Sequence, residues 1–186
     1  MLHQCTINDF EKALSILDKK LTRENLRIEI KAIGGFAMMY YGIRVNGYTM
    51  DIDTLTNEYS SKVLELIHEV GKEAAIDRDW LNNDCAGLEG FMSILGNEIK
   101  WLPSKYEFQM IDLCVADIKG LIRSKAKAIH DGGLVPRSTD KKDILDALAY
   151  VGIGNIEELN ANQEYSFISE EYQRCYEFLK KQDSWR

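Results

Sequence analysis

The sequence predicts a mixed α/β (α+β) fold, a small mixed β-sheet flanked by helices, with a helical C-terminal part. Three observations carry this expectation. Ile28, Ile30 and Ala32 alternate with charged residues and run into Gly34-Gly35, the pattern of a half-buried strand that ends in a tight turn. Met50 to Thr56 is a second run with strand character. From Asp117 onward, apolar residues recur at helical spacing. The division falls near Ala116, with an α/β core over residues 1–116 and a helical part over 117–186, packed on the core or forming one body with it.

The elements follow in order. Thr6 and Asp9 form a capping box in which Asp replaces the usual Glu, and Ile7, Phe10, Leu14, Leu17 and Leu21 then mark one helix face. Leu26 to Ile33 is the first strand. Phe36 to Tyr41 is a short apolar helix stopped by Gly42, and Asn46-Gly47 marks a loop or hairpin turn. After the Met50–Thr56 strand, Ser60 or Ser61 caps a helix with Val63, Leu64, Ile67 and Val70 inward. The stretch from Trp80 to Leu95 resists assignment beyond a turn at Asn82-Asn83-Asp84. Glu107 to Val115 reads as a third strand, and Asp117 caps a helix to Ile129 that His130-Asp131-Gly132-Gly133 ends. Ser138 or Thr139 caps another through Val151, and two more lie near Ile156–Asn160 and Ser169–Lys181.

The 186 residues carry a net charge of -7, which argues against broad affinity for nucleic acid. Arg123, Lys125 and Lys127, and Arg137, Lys141 and Lys142, are either solvated helix faces or local basic patches. Cys5, Cys85, Cys114 and Cys175 lie far apart without a CxxC pair, so no zinc site is expected. Neither a leader nor a membrane-length apolar run is evident, so the expectation is a reduced, cytoplasmic protein.

Two short features carry chemistry. Gly34-Gly35 allows close backbone approach to an anion at a strand-to-helix junction, although a double glycine is equally an ordinary turn. Asp51 and Asp53 fall on one face of a strand, where two carboxylates repel unless a cation such as Mg²⁺ lies between them. Read as a surface edge, the same pair would be two solvated acids. Asp112, on the third strand with Phe108, Met110 and Cys114, is either a third metal ligand or the partner of a neighbouring cation. Lys125 lies in the apolar stripe of Ile118, Leu121, Ile122 and Ile129, and needs an anion there: Asp112, Asp143, Asp146 or a phosphate. Arg123 and Lys127 lie off that stripe and are expected to face solvent. Asp140, Asp143 and Asp146 share a helix face, as a structural network with Arg123, Lys125 or Arg137, or as a metal or acceptor site. His68 and His130 have no partner at ligand spacing.

Together, Ile33-Gly34-Gly35-Phe36-Ala37, the Gly42 bend and Thr49-Met50-Asp51-Ile52-Asp53 resemble the nucleotidyltransferase-fold superfamily. The resemblance is to its minimal bacterial branch, with abortive-infection AbiE-type toxins and uncharacterised relatives. Trp80-Leu81-Asn82, Lys125-Ala126-Lys127-Ala128 and Lys142-Asp143-Ile144-Leu145-Asp146 are similar to shorter motifs of that branch, so the likeness covers about Glu29 to Val151. It implies Mg²⁺-dependent transfer of a nucleotidyl group from a nucleoside triphosphate to an acceptor, an RNA end such as that of tRNA or a protein. Two Mg²⁺ ions would be held by Asp51, Asp53 and Asp112, with Gly34, Gly35, Arg44, Thr49 and Lys125 at the nucleotide. A toxin–antitoxin or phage-defence role, with a cognate antitoxin protein as partner, follows from the same likeness. The alternative is a degenerate nucleotide-binding or protein-interaction module of the same fold. The chain departs from the broader pattern in two places. Gly35 stands where serine is common, and Gly47 where an arginine precedes the threonine, leaving Arg44 as the nearest arginine.

Overall fold

The computed structural model describes residues 4–44, 47–56, 58–87, 97–132, 138–182 and 185. They divide into two compact units, Met1–Asp117 and Ile118–Arg186. Asn46 of the expected turn and Arg137 lie outside the described residues.

The first unit opens with helix α1 (Ile7–Glu24), whose start is the expected capping box: the Thr6 hydroxyl accepts from Asp9 N, and Thr6 N donates to the Asp9 carboxylate. Phe10, Leu14, Leu17 and Leu21 form its buried face. Strand β1 (Ile28–Ala32) leads directly into α2 (Gly34–Tyr40), so the helix begins at the glycines themselves. Gly42, at φ 72°, ends that segment. Then come β2 (Ile52–Asp53), α3 (Ser61–Ala74, capped by Ser60), β3 (Leu81–Asn82), a 3₁₀ turn at Asp84–Gly87, β4 (Trp101–Pro103) and β5 (Ile111–Ala116).

The sheet is mixed. Strands run in the order β1-β5-β4, with β1 parallel and β4 antiparallel to β5. Strands β2 and β3 form a parallel pair. An antiparallel bridge between Ala32 and Thr54 ties that pair to β1, reinforced by Ile33 N donating to Asp53 O (3.0 Å) and Leu55 N to Lys31 O (2.9 Å). Trp80 is wholly buried; it stacks near Phe10, and its indole N–H donates to Ile67 O at 2.9 Å, pinning β3 against α3.

Three local expectations change. The third strand begins at Ile111 and not at Glu107, because Gln109 N and Met110 N donate to the Asp18 carboxylate of α1 at 3.0 and 2.7 Å instead of to a neighbouring strand. The second strand is shorter than Met50–Thr56, because Thr49 pairs with Cys5 before Ile52-Asp53 turns to β3. Leu64 faces solvent, and Leu66 takes its place in the core.

The second unit is helical: α4 (Ile118–Asp131), α5 (Ser138–Tyr150), α6 (Ile156–Ala161), a 3₁₀ turn (Gln163–Tyr165), α7 (Phe167–Glu171) and α8 (Gln173–Lys180). The helix expected over Ser169–Lys181 is broken at Tyr172, whose ψ of 58° is not helical. Among the described residues no helix is long and apolar enough to cross a membrane, and all four cysteines are unbridged.

Candidate functional site

The glycine turn and the acid pair meet in the first unit. Gly34 has φ 66°, and a Cβ at that position would lie 2.5 Å from Asp53 Oδ2. Glycine is therefore needed twice, for a left-handed backbone and for the close approach of a carboxylate. At Gly35 a Cβ would lie 2.6 Å from Thr49 Oγ1 and 2.9 Å from Arg44 Nη1. The space beside Gly35 is thus already filled by a hydroxyl and a guanidinium from the following loop. Arg44 gets there by crossing Gly47, where a Cβ would come within 2.1 Å of its Cγ, and its Nη1 donates to Tyr48 O at 3.0 Å. Gly47 clears the path, and Arg44 supplies charge beside Gly35. Helix α2 has only seven residues, so its dipole is small and Arg44 is the principal positive group of the turn.

The carboxylates sit opposite. Asp51 is pushed up to about 6, first by burial and then by the charge of Asp53, with Asp84 adding to it; the Asn82 amide and Thr49 hydroxyl act in the other direction. Asn82 Nδ2 donates to Asp51 Oδ2 at 3.2 Å, and the Cys85 thiol donates to Asp53 Oδ1 at 3.5 Å. Asn82 at the end of β3 and Cys85 in the turn after it thus contact one acid each. The exposed Tyr48 and Met50 alternate with Thr49 and Asp51.

The structure does not bring Asp112 to this pair. It lies on β5 in register with Glu29, three residues before the Ala32 that bridges to Thr54. Arg27 grips it twice, Nη2 to Oδ1 at 2.7 Å and Nε to Oδ2 at 2.8 Å, and that bonding lowers its pKa. Its face is the solvated one, because Ile111, Leu113 and Val115 are the buried residues of β5. Lys125, in the second unit, is buried with its ammonium 2.9 Å from Asp140 Oδ1 and 2.8 Å from Asp143 Oδ2. Asp146 pairs with Lys142 instead. Arg123 and Lys127, expected in solvent, are largely covered: Arg123 bonds Glu171 and lies 4.1 Å over the Phe167 ring, and Lys127 bonds Asp131. Helix α4 is packed on more than one face, which a single apolar stripe does not disclose.

No family model matches the chain, and neither does any curated protein or solved structure. The site rests on its own geometry. Sequence reading missed Asn82, Asp84 and Cys85 as site residues. The signal was the Trp80-Leu81-Asn82 motif, in which a buried Trp and Leu anchor a strand whose next residue reaches Asp51. Among the described residues, no three acidic, histidine or cysteine side chains are grouped to hold a metal. An ion at Asp51 and Asp53 would complete its shell with water and ligand oxygens, as Mg²⁺ commonly does.

Proposed function

We propose that the first unit binds a nucleoside triphosphate with Mg²⁺ and transfers its nucleotidyl group to an acceptor hydroxyl. The observation that carries this reading is the pairing of opposite charges across one glycine turn: Arg44 and Thr49 against Gly35, and Asp53 against Gly34. Two acids, of which Asp53 raises the proton affinity of Asp51, contacted by an amide, a hydroxyl and a thiol, fit a hard divalent ion. Mg²⁺ would neutralise phosphate charge as it develops. Arg44 and Thr49 would orient the phosphate chain, and the glycines would let it approach the backbone. In the transfer, the acceptor oxygen bonds the α-phosphorus, the bond to the pyrophosphate breaks, and the hydroxyl proton leaves to solvent.

Titration calorimetry tests the nucleotide site. Binding of a triphosphate should require Mg²⁺ and vanish in Asp51→Asn and Asp53→Asn; equal binding without metal sinks the reading. A second reading, binding without turnover, is favoured by one observation: an amide, Asn82, stands opposite Asp53 on the neighbouring strand. Incubating the chain with α-labelled triphosphates and cell extract separates the two, since only a transferase leaves label on a macromolecule.

A further inference from the structure

At the end of β1 away from the glycines lies a cavity that the triphosphate reading does not use. It measures about 320 Å³, small for a ligand pocket. Leu26, Ile28 and Val63 give it an apolar side, and Glu29, Glu58 and Tyr59 line it as well. Tyr59 is anchored as a wall. Its hydroxyl lies 3.1 Å from Thr56 Oγ1, which lies 2.9 Å from Thr54 Oγ1, and Thr54 Oγ1 donates to Asn82 O at 3.0 Å. Both threonines are buried, so this chain draws the hydroxyl towards the protein and leaves the ring to face the cavity. Burial raises the Tyr59 pKa; the Thr56 and Thr54 hydroxyls act against that, and the charge of Glu29 adds to it. The ring is therefore a neutral phenol within the field of a carboxylate.

The charges around the cavity are unequal. Arg27 also lines it, but its guanidinium is committed to Asp112 through Nε and Nη2. Lys31 lies 3.0 Å from Glu29. Among the described residues no ion pair is found for Glu58, which is exposed. One unbalanced carboxylate thus stands with an aromatic ring and an apolar side in one cavity. We propose that this cavity binds a small organic ammonium ion, its charge facing Glu58 and the Tyr59 ring and its carbon chain lying along Leu26, Ile28 and Val63. A cation is attracted by the negative face of an aromatic ring, more strongly where water is partly excluded. An anion would meet Glu29 and Glu58, and a neutral ligand would leave the charge of Glu58 unanswered. The cavity is distinct from the Asp51–Asp53 pair, and the inference stands whether or not that pair binds a triphosphate.

The test varies charge at constant shape. The full chain is titrated by ligand-observed NMR with butylammonium, 1-butanol and butyrate, which share one carbon chain. Butylammonium should bind saturably, and the alcohol and the acid should not. Glu58→Gln and Tyr59→Ala should each weaken butylammonium about tenfold, within the range of a partly desolvated cation–π contact, whereas Tyr59→Phe, which keeps the ring, should stay within about twofold of wild type. Circular dichroism reports that each variant folds, and Glu58→Gln, at an exposed position, carries the test if Tyr59→Ala does not. Asp51→Asn and Glu107→Gln remove acids outside the lining and should bind as wild type does. The inference is overturned by the absence of saturable butylammonium binding, by equal binding of butyrate, or by undiminished affinity in folded Glu58→Gln. Loss of binding in Asp51→Asn overturns it too, because the ion would then sit at the acid pair.

Discussion

Asp140 and Asp143 in the second unit clasp Lys125, whose ammonium lies within hydrogen-bond reach of both. Asp51 and Asp53 in the first unit meet an amide, a hydroxyl and a thiol, and Asp51 is driven up to about 6. Both are acid pairs close in sequence, and both are wholly or partly buried. The difference lies in where the balancing charge comes from. A pair that encloses its own lysine is a structural joint between α4 and α5. Asp53 raises the proton affinity of Asp51 beside an amide, a hydroxyl and a thiol, and that repulsion falls when a ligand brings a cation.

The sharpest way to break that comparison is to remove the lysine. Lys125→Ala takes the ammonium away from two buried carboxylates, and a loss of about 3–5 kcal/mol is expected. Urea denaturation of the full chain measures it. A loss below ~1 kcal/mol would mean that the pair does not depend on Lys125, and the contrast between the units would lapse.

Gly34→Ala probes the first unit in the opposite sense. Its φ of 66° strains any Cβ, and that Cβ would press on Asp53 Oδ2. About 2 kcal/mol of stability should be lost, from strain of the kind stored at such positions. The larger consequence should be functional: moving the Asp53 carboxylate should weaken Mn²⁺-dependent triphosphate retention about tenfold, the effect of ~1.4 kcal/mol. Retention unchanged in a folded variant would separate the glycine from the acids.

Asp51→Asn should make the protein more stable. Its carboxyl has a native pKa near 6, above the value in an unfolded chain, so the native state holds the proton more tightly. Stability from this group is full below about pH 4 and is lost as pH rises through 6. A shift of this size corresponds to ~3 kcal/mol if fully buried, and partial exposure reduces it to about 1–2 kcal/mol. The variant should therefore melt above wild type at pH 8 and with it at pH 4. Added Mg²⁺ should raise the melting temperature of the wild type and leave the variant unmoved. A variant that melts lower at pH 8 would mean that the acid is paired favourably within the chain, like its counterparts around Lys125.

How much of this was legible depends on how local each signal is. The capping box of α1, the β1 alternation and the Gly42 stop are written within a few residues, and sequence reading found them. Strands β3 and β4 span two and three residues, too short for any periodicity, and they were missed. The same holds at the site. Gly34, Gly35, Asp51 and Asp53 belong to two short motifs that a single bridge brings together. Arg44 reaching back over Gly47 needs the loop's path. Asn82 and Cys85 need the β2–β3 pairing, some thirty residues away, and no spacing rule announces it.

Asp112 shows how a correct strand can still misdirect. Extending it back to Glu107 put the acid among Phe108, Met110 and Cys114 and made burial costly, hence suggestive of a metal. The strand begins later, its inward residues are Ile111, Leu113 and Val115, and Asp112 meets Arg27 in solvent. An exposed ion pair contributes little to stability, because water screens it and two long side chains must be ordered to form it. The smallest expected effect is therefore its removal. Asp112→Asn should leave both Mn²⁺-dependent triphosphate retention and the urea midpoint at wild-type values, the opposite of Asp53→Asn in the same assay. If Asp112→Asn instead abolishes retention, the acid reaches the ligand in a conformation other than this one.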